Sequence, residues 1–410
     1  MTKSMRIIRG AAVALAVLVS GVPAALAAPP PVPEHDPFYA VPKGIGGLAN
    51  GTVLASRQIT AYSGPVPMQA KAWQVKFKTL DNQGVPTATV TTVMVPRAAW
   101  MGTGPRPLVS YQVAEDGVGG KCSASYALRT GIQPGGQTTT GNAQNETFEI
   151  REALDRGWAV SSPDYEGPHS AFLGADIEAR ETLDAVRAAL RFRPAGLDAR
   201  APTALWGYSG GALASSLAAQ EQPSYAPELK LSGIALGGVV PDIHATFDAF
   251  DAIGGGAAAI VVGAIGLGRA HPSIDPNRYF NAAGRQALAS NQTACLGDTV
   301  VKYAGRKASD FAATPNTFQQ PEFVKLLRDS SPRDRPGTPT APVYDYHSTQ
   351  DELAPIDPDR QLMARYCAAG VRVQHVEFPG EHFSGVAAGL PGVLSFLADR
   401  FAGLPAVSTC

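Results

Sequence analysis

Thr203-Ala204-Leu205-Trp206-Gly207-Tyr208-Ser209-Gly210-Gly211 is the stretch on which the reading of the fold turns. Thr203–Trp206 is a short apolar run of strand character. From Gly210 to Gln220 small residues continue as a helix. Between them Gly207-Tyr208-Ser209-Gly210-Gly211 fits G-x-S-x-G. A strand that turns directly into a helix leaves no room for side chains at the flanks of the turn, hence the glycines. The same turn lifts the serine hydroxyl above the carboxyl edge of a sheet, beside helix N–H groups that can receive negative charge. Taken alone, G-x-S-x-G in a glycine-rich chain is only a turn. The strand before it and the helix after it make Ser209 a candidate nucleophile.

Outward from this turn, strand and helix patterns alternate. Thr87–Val95 and Leu108–Gln112 read as strands. Residues 130–147 form a polar loop, with a helix near Glu149–Arg156 and a strand at Trp158–Ser161. Ala175–Arg193 has one apolar stripe through Ala179, Leu183, Val186 and Leu190, and Pro194 ends it. Strands follow at Leu231–Leu236, Val343–Tyr346 and Val371–Phe378, and a last helix at about Gly392–Phe401. Such alternation predicts an α/β fold with a doubly wound, mostly parallel sheet. The segment 241–335 breaks the pattern, with helical and loop character and no clear strand. It contains Ala252–Gly268, an uncharged run with six glycines. The Ser209–Asp351 interval is longer than two crossovers of roughly 30 residues each require. The surplus reads as an insertion over the nucleophile, at the sheet edge where such folds place their sites.

A chain of 410 residues with 45% apolar residues can bury a large core, which excludes disorder as its main state. Glycine (43) and proline (34) are in excess without a Gly-X-Y period, which implies many turns and excludes collagen. The formal net charge of -1, with no basic stripe, gives no support for a nucleic-acid partner. Lys3, Arg6 and Arg9 precede the apolar run Ala11–Val19 and the small-residue exit Ala25-Leu26-Ala27. This is the layout of a secretory signal over residues 1–27, and its apolar run is too short for a membrane anchor. No later stretch reaches membrane length, so the mature chain is expected to be secreted. In an oxidising compartment Cys122, Cys295, Cys367 and Cys410 read as two disulfides, with three pairings open. Cys367 and Cys410 are near in sequence, which favours a bond pinning the C-terminus.

A serine nucleophile needs a base, and the base an orienting acid. In this kind of fold their chain order is Ser, acid, His. His375 lies inside the strand Val371–Phe378, where a structural role fits better. His382, in Phe378-Pro379-Gly380-Glu381-His382-Phe383, follows that strand in what reads as a loop and is the candidate base. Asp351 stands at the exit of the strand Val343–Tyr346 and is the candidate acid, with Glu352 its nearest rival. Asp345 lies within the strand, and Asp357 and Asp359 fall in a proline-flanked loop. C-x-x-C, H-E-x-x-H and G-x-x-x-x-G-K patterns are absent, so no metal or cofactor is expected.

Five pieces carry a family resemblance in one order. They are Ser110-Tyr111-Gln112-Val113-Ala114-Glu115-Asp116, Pro163-Asp164-Tyr165-Glu166-Gly167-Pro168, the Ser209 turn, Gln350-Asp351-Glu352-Leu353-Ala354-Pro355, and Glu381-His382. Together they resemble the secretory lipase family typified by yeast lipase A, which includes actinobacterial members. The resemblance implies an α/β-hydrolase core over 28–240 and 336–410, a mainly helical cap over 241–335, and hydrolysis of carboxylic esters, most simply triacylglycerols. It implies that Asp116, by itself a turn residue before Gly117, shares an oxyanion hole with the N–H of Gly210. It also implies the pairs Cys122–Cys295 and Cys367–Cys410. An acyltransferase with the same triad, or a hydrolase-fold binding protein without catalysis, are the competing readings. The expected partner is a lipid or ester substrate, at a lipid–water interface or in solution. The apolar, glycine-rich run of the cap is expected to line an acyl-chain slot at Gly255 and Gly263, where backbone can approach a ligand closely.

Overall fold

The computed structural model describes residues 29–132 and 141–410. The expected signal segment 1–27 and residues 133–140 of the expected polar loop lie outside the described residues. Residues Pro31–Cys410 form one body.

Its strands are β1 (Val53–Ile59), the small hairpin β2 (Tyr62–Ser63) and β3 (Val66–Pro67), β4 (Ala70–Leu80), β5 (Pro86–Pro96), β6 (Leu108–Gln112), β7 (Ala159–Pro163), β8 (Thr203–Tyr208), β9 (Leu231–Gly237), β10 (Val343–Ser348) and β11 (Val373–Phe378). The helices are α1 (Ala124–Thr130), α2 (Thr147–Asp155), α3 (Ala175–Arg191), α4 (Gly210–Tyr225), α5 (Ile243–Ala252), α6 (Gly256–Ala270), α7 (Ala282–Ser290), α8 (Leu296–Lys302), α9 (Pro321–Ser330), α10 (Ile356–Ala368) and α11 (His382–Phe401). Nine strands make one sheet in the order β1-β4-β5-β7-β6-β8-β9-β10-β11. The β1, β4, β5 and β7 contacts are antiparallel, and every contact from β7 to β11 is parallel. This is the expected α/β-hydrolase architecture.

The parallel strands are buried on both faces, as their nearly unbroken apolar runs require. Along them the side chains alternate with the period of two. Val109, Tyr111, Ala204 and Trp206 pack on one face with α2 and α11. Leu108, Leu205, Ile234 and Val343 pack on the other with α3, α4 and α10. On α3 the expected stripe supplies Leu183 and Val186 to that second core. The same helix also buries Glu178, Glu181 and Asp184, which its apolar stripe did not announce.

Residues 241–335 carry α5 to α9 and no strand of the sheet; Phe280 and Ala312 make a single bridge there. The apolar run Ala252–Gly268 is broken by a turn at Ile253-Gly254-Gly255, where Gly254 has φ +82°, and continues as α6. Every residue of α6 from Gly256 to Leu267 is buried, in a core shared with Phe172, Leu173, Leu213 and Leu217 of the sheet domain.

Two elements differ from expectation through proline. The last helix starts at His382, not near Gly392, and contains Pro391. Proline in a helix interior removes one hydrogen bond, but α11 is held by Val393, Leu394 and Leu397 against the sheet. Asp357 and Asp359 lie in the first turn of α10, not in a loop. Pro358 is tolerated because first-turn N–H groups have no helical acceptor. Both disulfides have the expected pairing, Cys122–Cys295 and Cys367–Cys410.

Candidate active site

Ser209 sits between β8 and α4 with φ 51° and ψ -120°, a backbone conformation that L-residues seldom adopt. Close packing on either side forces the glycines. A Cβ on Gly207 would stand 2.3 Å from the Gly211 carbonyl oxygen, and one on Gly211 would stand 1.9 Å from that of Gln112. Ser209 N–H donates to the Gly237 carbonyl at 2.8 Å, which ties the turn to β9. The serine is thereby aimed by rigid neighbours rather than by its own rotamer.

The exits of β10 and β11 deliver the other two groups. His382 Nε2 is 2.9 Å from Ser209 Oγ, and its Nδ1 is 2.7 Å from Asp351 Oδ2. The other Asp351 oxygen accepts from the N–H groups of Leu353 (3.0 Å) and Ala354 (2.7 Å), so the carboxylate cannot swing away. Its side chain is fully buried, and that of His382 is nearly so. Two cross-links lace the acid loop to the histidine loop. Gln350 N–H donates to the Gly380 carbonyl at 3.0 Å, and Gly380 N–H donates to Gln350 Oε1 at 2.9 Å. Glu352, the rival acid, accepts from the main-chain N–H of His382 at 3.1 Å and does not bond to the ring. Tyr208 donates its hydroxyl to the His382 carbonyl at 2.5 Å. His375 faces elsewhere, with Asp345 at 2.5 Å and Glu377 at 3.0 Å.

Asp116 follows β6 with φ 40°, and its carboxylate oxygen Oδ1 would lie 2.1 Å from a Cβ placed on Gly210. The two expected oxyanion residues are therefore neighbours at the start of α4. The Asp116 loop is fastened to the helical segment at three points. Asp116 O accepts from Leu296 N–H at 2.7 Å, Val118 N–H donates to Ala294 O at 2.8 Å, and Cys122 is bonded to Cys295.

Ser209, His382, Asp116 and Gly210 open on a cavity of about 330 Å³. Its far walls are Phe172 and Leu173 before α3, Ile243, Phe247 and Phe250 on α5, and Ala259 on α6. Gly255 and Gly263 do not line it. They stand one layer behind, where a Cβ on Gly263 would be 2.7 Å from the Phe247 ring and one on Gly255 3.1 Å from that of Phe250. The apolar run therefore shapes the cavity by seating phenyl rings, because Gly255, just before α6, and Gly263 within it face α5.

The sequence reading missed Glu146, which also lines the cavity. It accepts from Ala114 N–H and Tyr111 OH, each at 3.0 Å. Burial raises its pKa to about 8 against the opposing effect of these hydrogen bonds. It also missed Phe247 and Phe250. Their spacing of three on one helix was the only available signal.

A serine on a strand–helix turn, bonded to a histidine that is bonded to a buried aspartate, on a nine-stranded α/β sheet, defines a protein of the α/β-hydrolase class. Within that class the chain belongs to the secretory lipase family, whose model matches residues 132–409. The chain is 32% identical to a secreted triacylglycerol lipase of Malassezia furfur, over 91% of this chain and 80% of that one. It is 37% identical to a probable inactive lipase of Mycobacterium tuberculosis, over 92% of this chain and 84% of that one. The solved structure of Candida antarctica lipase A superposes with a TM-score of 0.84 at 29% identity, covering 93% of this chain and 89% of that one.

Proposed function

We propose that the protein is a secreted lipase that cleaves carboxylic esters, triacylglycerols in particular, through an acyl-enzyme on Ser209. The hydrogen-bonded line Ser209–His382–Asp351 opening on an apolar cavity carries this reading. His382 Nε2 accepts the Ser209 proton as Oγ attacks the ester carbonyl. Asp351 holds the tautomer with the proton on Nδ1 and stabilises the imidazolium that forms. The oxyanion receives hydrogen bonds from the N–H of Gly210 and from Asp116, each such donor typically worth ~3 kcal/mol. An ionised carboxylate only accepts, so the Asp116 donor is its main-chain N–H or a protonated carboxyl. His382 then protonates the departing alcohol. Water, activated by the same imidazole, releases the fatty acid and restores Ser209.

Family membership by itself does not decide catalysis, since one relative is named a probable inactive lipase. The assembled triad argues for activity in this chain. Residues 1–27 serve as the export signal, consistent with two disulfides in the secreted product. Residues 241–335 form a cap, whose α5 and α6 enclose the acyl chain. The test is hydrolysis of p-nitrophenyl esters and of a triacylglycerol emulsion by the mature protein, with covalent capture by a fluorophosphonate. Hydrolysis and capture, both lost in Ser209→Ala, support the proposal. A folded wild-type protein that does neither is a binding protein.

A further inference from the structure

Beneath the triad, on the last two strands, lies a second group of acids and histidines that the proposed chemistry does not use. Asp345 and His347 are two residues apart on β10 and so share a sheet face. In the parallel register Asp345 pairs with His375 of β11, and His347 with Glu377. Asp359, from the first turn of α10, comes down onto the same face. One ligand atom each from Asp345, Asp359 and His375 can be chosen so that all lie within 4.8 Å of one another. His375 Nδ1 is 2.5 Å from Asp345 Oδ2 and 3.8 Å from Asp359 Oδ2. His347 Nδ1 is 3.5 Å from the same Asp359 oxygen.

Three features make this more than a patch of acids. Asp345, Asp359 and His347 are wholly buried, yet among the described residues both oxygens of Asp359, Asp345 Oδ1 and His347 Nδ1 have no hydrogen-bond partner unless the Asp345 and Asp359 carboxyls share a proton. Leaving such groups unpaired costs about 1–3 kcal/mol each, and more when charged. The far nitrogen of each histidine is already held. His347 Nε2 lies 2.8 Å from the Ala354 carbonyl, and His375 Nε2 lies 3.0 Å from Glu377, which Arg360 clamps at 2.8 Å on both oxygens. A carbonyl or carboxylate on the remote N–H, presenting the other nitrogen, is the usual support of a metal-binding histidine. Charge points the same way: Arg360 is shared between Glu377 and Asp357, so with a neutral His375 no cation is left for the carboxylates of Asp345 and Asp359.

We propose that Asp345, Asp359 and His375 bind one divalent metal ion of the zinc type, with the fourth position facing His347 Nδ1. One imidazole and two carboxylates suit zinc, whereas calcium and magnesium favour all-oxygen sets. The ion enters from the sheet edge, where the His375 side chain is 20% exposed. No sequence pattern announces this site, because its ligands come from two strands and a helix. It also borders the triad, since His347 Nε2 is 3.4 Å from Asp351 Oδ2. The competing account uses protons alone. Burial lowers the His375 pKa, but its bonds to Asp345 and Glu377 outweigh that and raise it to about 9, giving an imidazolium. Asp359 would then be a neutral acid.

Zinc titration of the chelator-dialysed mature protein, by calorimetry and elemental analysis, separates the two accounts. The metal site predicts one equivalent of zinc bound in preference to calcium and magnesium, and a melting temperature that rises with zinc. Asp359→Asn should weaken zinc by more than 100-fold. Glu377→Gln, which keeps the shape of the support, should weaken it by about 10–100-fold. Wild-type protein that takes up no stoichiometric zinc, with a melting temperature indifferent to it, overturns the proposal even if a variant fails to fold. Neither readout depends on ester hydrolysis, so this result and that of the Ser209 assay are independent.

Discussion

The two ends of the cavity are built in different ways. At the sheet end every group proposed to react hangs from a strand exit: Ser209 after β8, Asp351 after β10, His382 after β11, Asp116 after β6. Each is locked by main-chain hydrogen bonds or by a backbone conformation that only its neighbours can enforce. At the helical end the wall is phenyl and alkyl surface from α5 and α6. Hydrophobic contact is non-directional, so its elements can shift or be resized without destroying the chemistry. The first end should therefore answer mutation all-or-none, and the second by degrees and selectively.

The largest effect belongs to the sheet end. Ser209→Ala and His382→Ala should each lower kcat by about 10⁴–10⁶-fold on short and long esters alike, with an unchanged melting temperature for Ser209→Ala and a lower one for His382→Ala, which leaves the buried Asp351 carboxylate without its partner. Asp351→Asn should lose roughly 10⁴-fold, since it favours the wrong tautomer of His382. Glu352→Gln keeps an oxygen for the His382 N–H and should cost less than tenfold. If Glu352→Gln were the crippling change and Asp351→Asn were mild, the acid would be misassigned.

The next effect tests the other end. A side chain at Gly263 cannot fit unless the Phe247 ring moves, because its Cβ would be 2.7 Å away. The ring's free direction is the cavity it lines. Gly263→Val should therefore cut long-chain ester hydrolysis by about tenfold or more, the scale on which a pocket resolves a few methylenes, and spare short esters. An equal loss on both, tracking a fall in melting temperature, would make α6 only a packing element of the cap.

The same contrast explains what the sequence made legible. Strand exits are marked by short apolar runs with glycine or proline beside them. Ser209, Asp351 and His382 could therefore be placed, and β5 to β11 with them. His382 was expected in a loop and instead opens α11, because Pro391 reads as a helix boundary and only packing against the sheet overrides it. Helix faces are less legible. Which side of α6 meets solvent, cavity or core depends on its neighbours, and Gly255 and Gly263 proved to sit behind the wall rather than in it. The buried acids of α3 and the Asp345–Asp359–His375 group were invisible for the same reason: each draws on contacts between elements distant in the chain.

The smallest expected effect is on stability, and it also divides the two ends. The sheet end buries carboxyl groups whose pKa values are raised chiefly by burial, Glu146 to about 8 and Asp164 to about 7. Within residues 241–335 the one buried carboxylate is Asp242, which Arg333 meets at 2.6 Å. An acid with a raised folded-state pKa keeps its proton where the unfolded chain has lost it. Across pH 4.5–8 the unfolded state binds fewer protons, so stability declines as pH rises. Glu377, lowered to about 2 chiefly by its bonds to Arg360 and His375, stays ionised in the folded state and opposes this trend only at the foot of the window, where the unfolded carboxyl still holds a proton. The melting temperature should thus be higher near pH 5 than near pH 8, by a few degrees. Glu146→Gln keeps the acceptor for Ala114 N–H but cannot ionise, so its curve should be flatter and should cross the wild-type curve toward pH 8. Wild-type stability that climbs steadily from pH 5 to pH 8 would mean that these acids are ionised and paired in the folded protein, and that the sheet end is wetter than its geometry indicates.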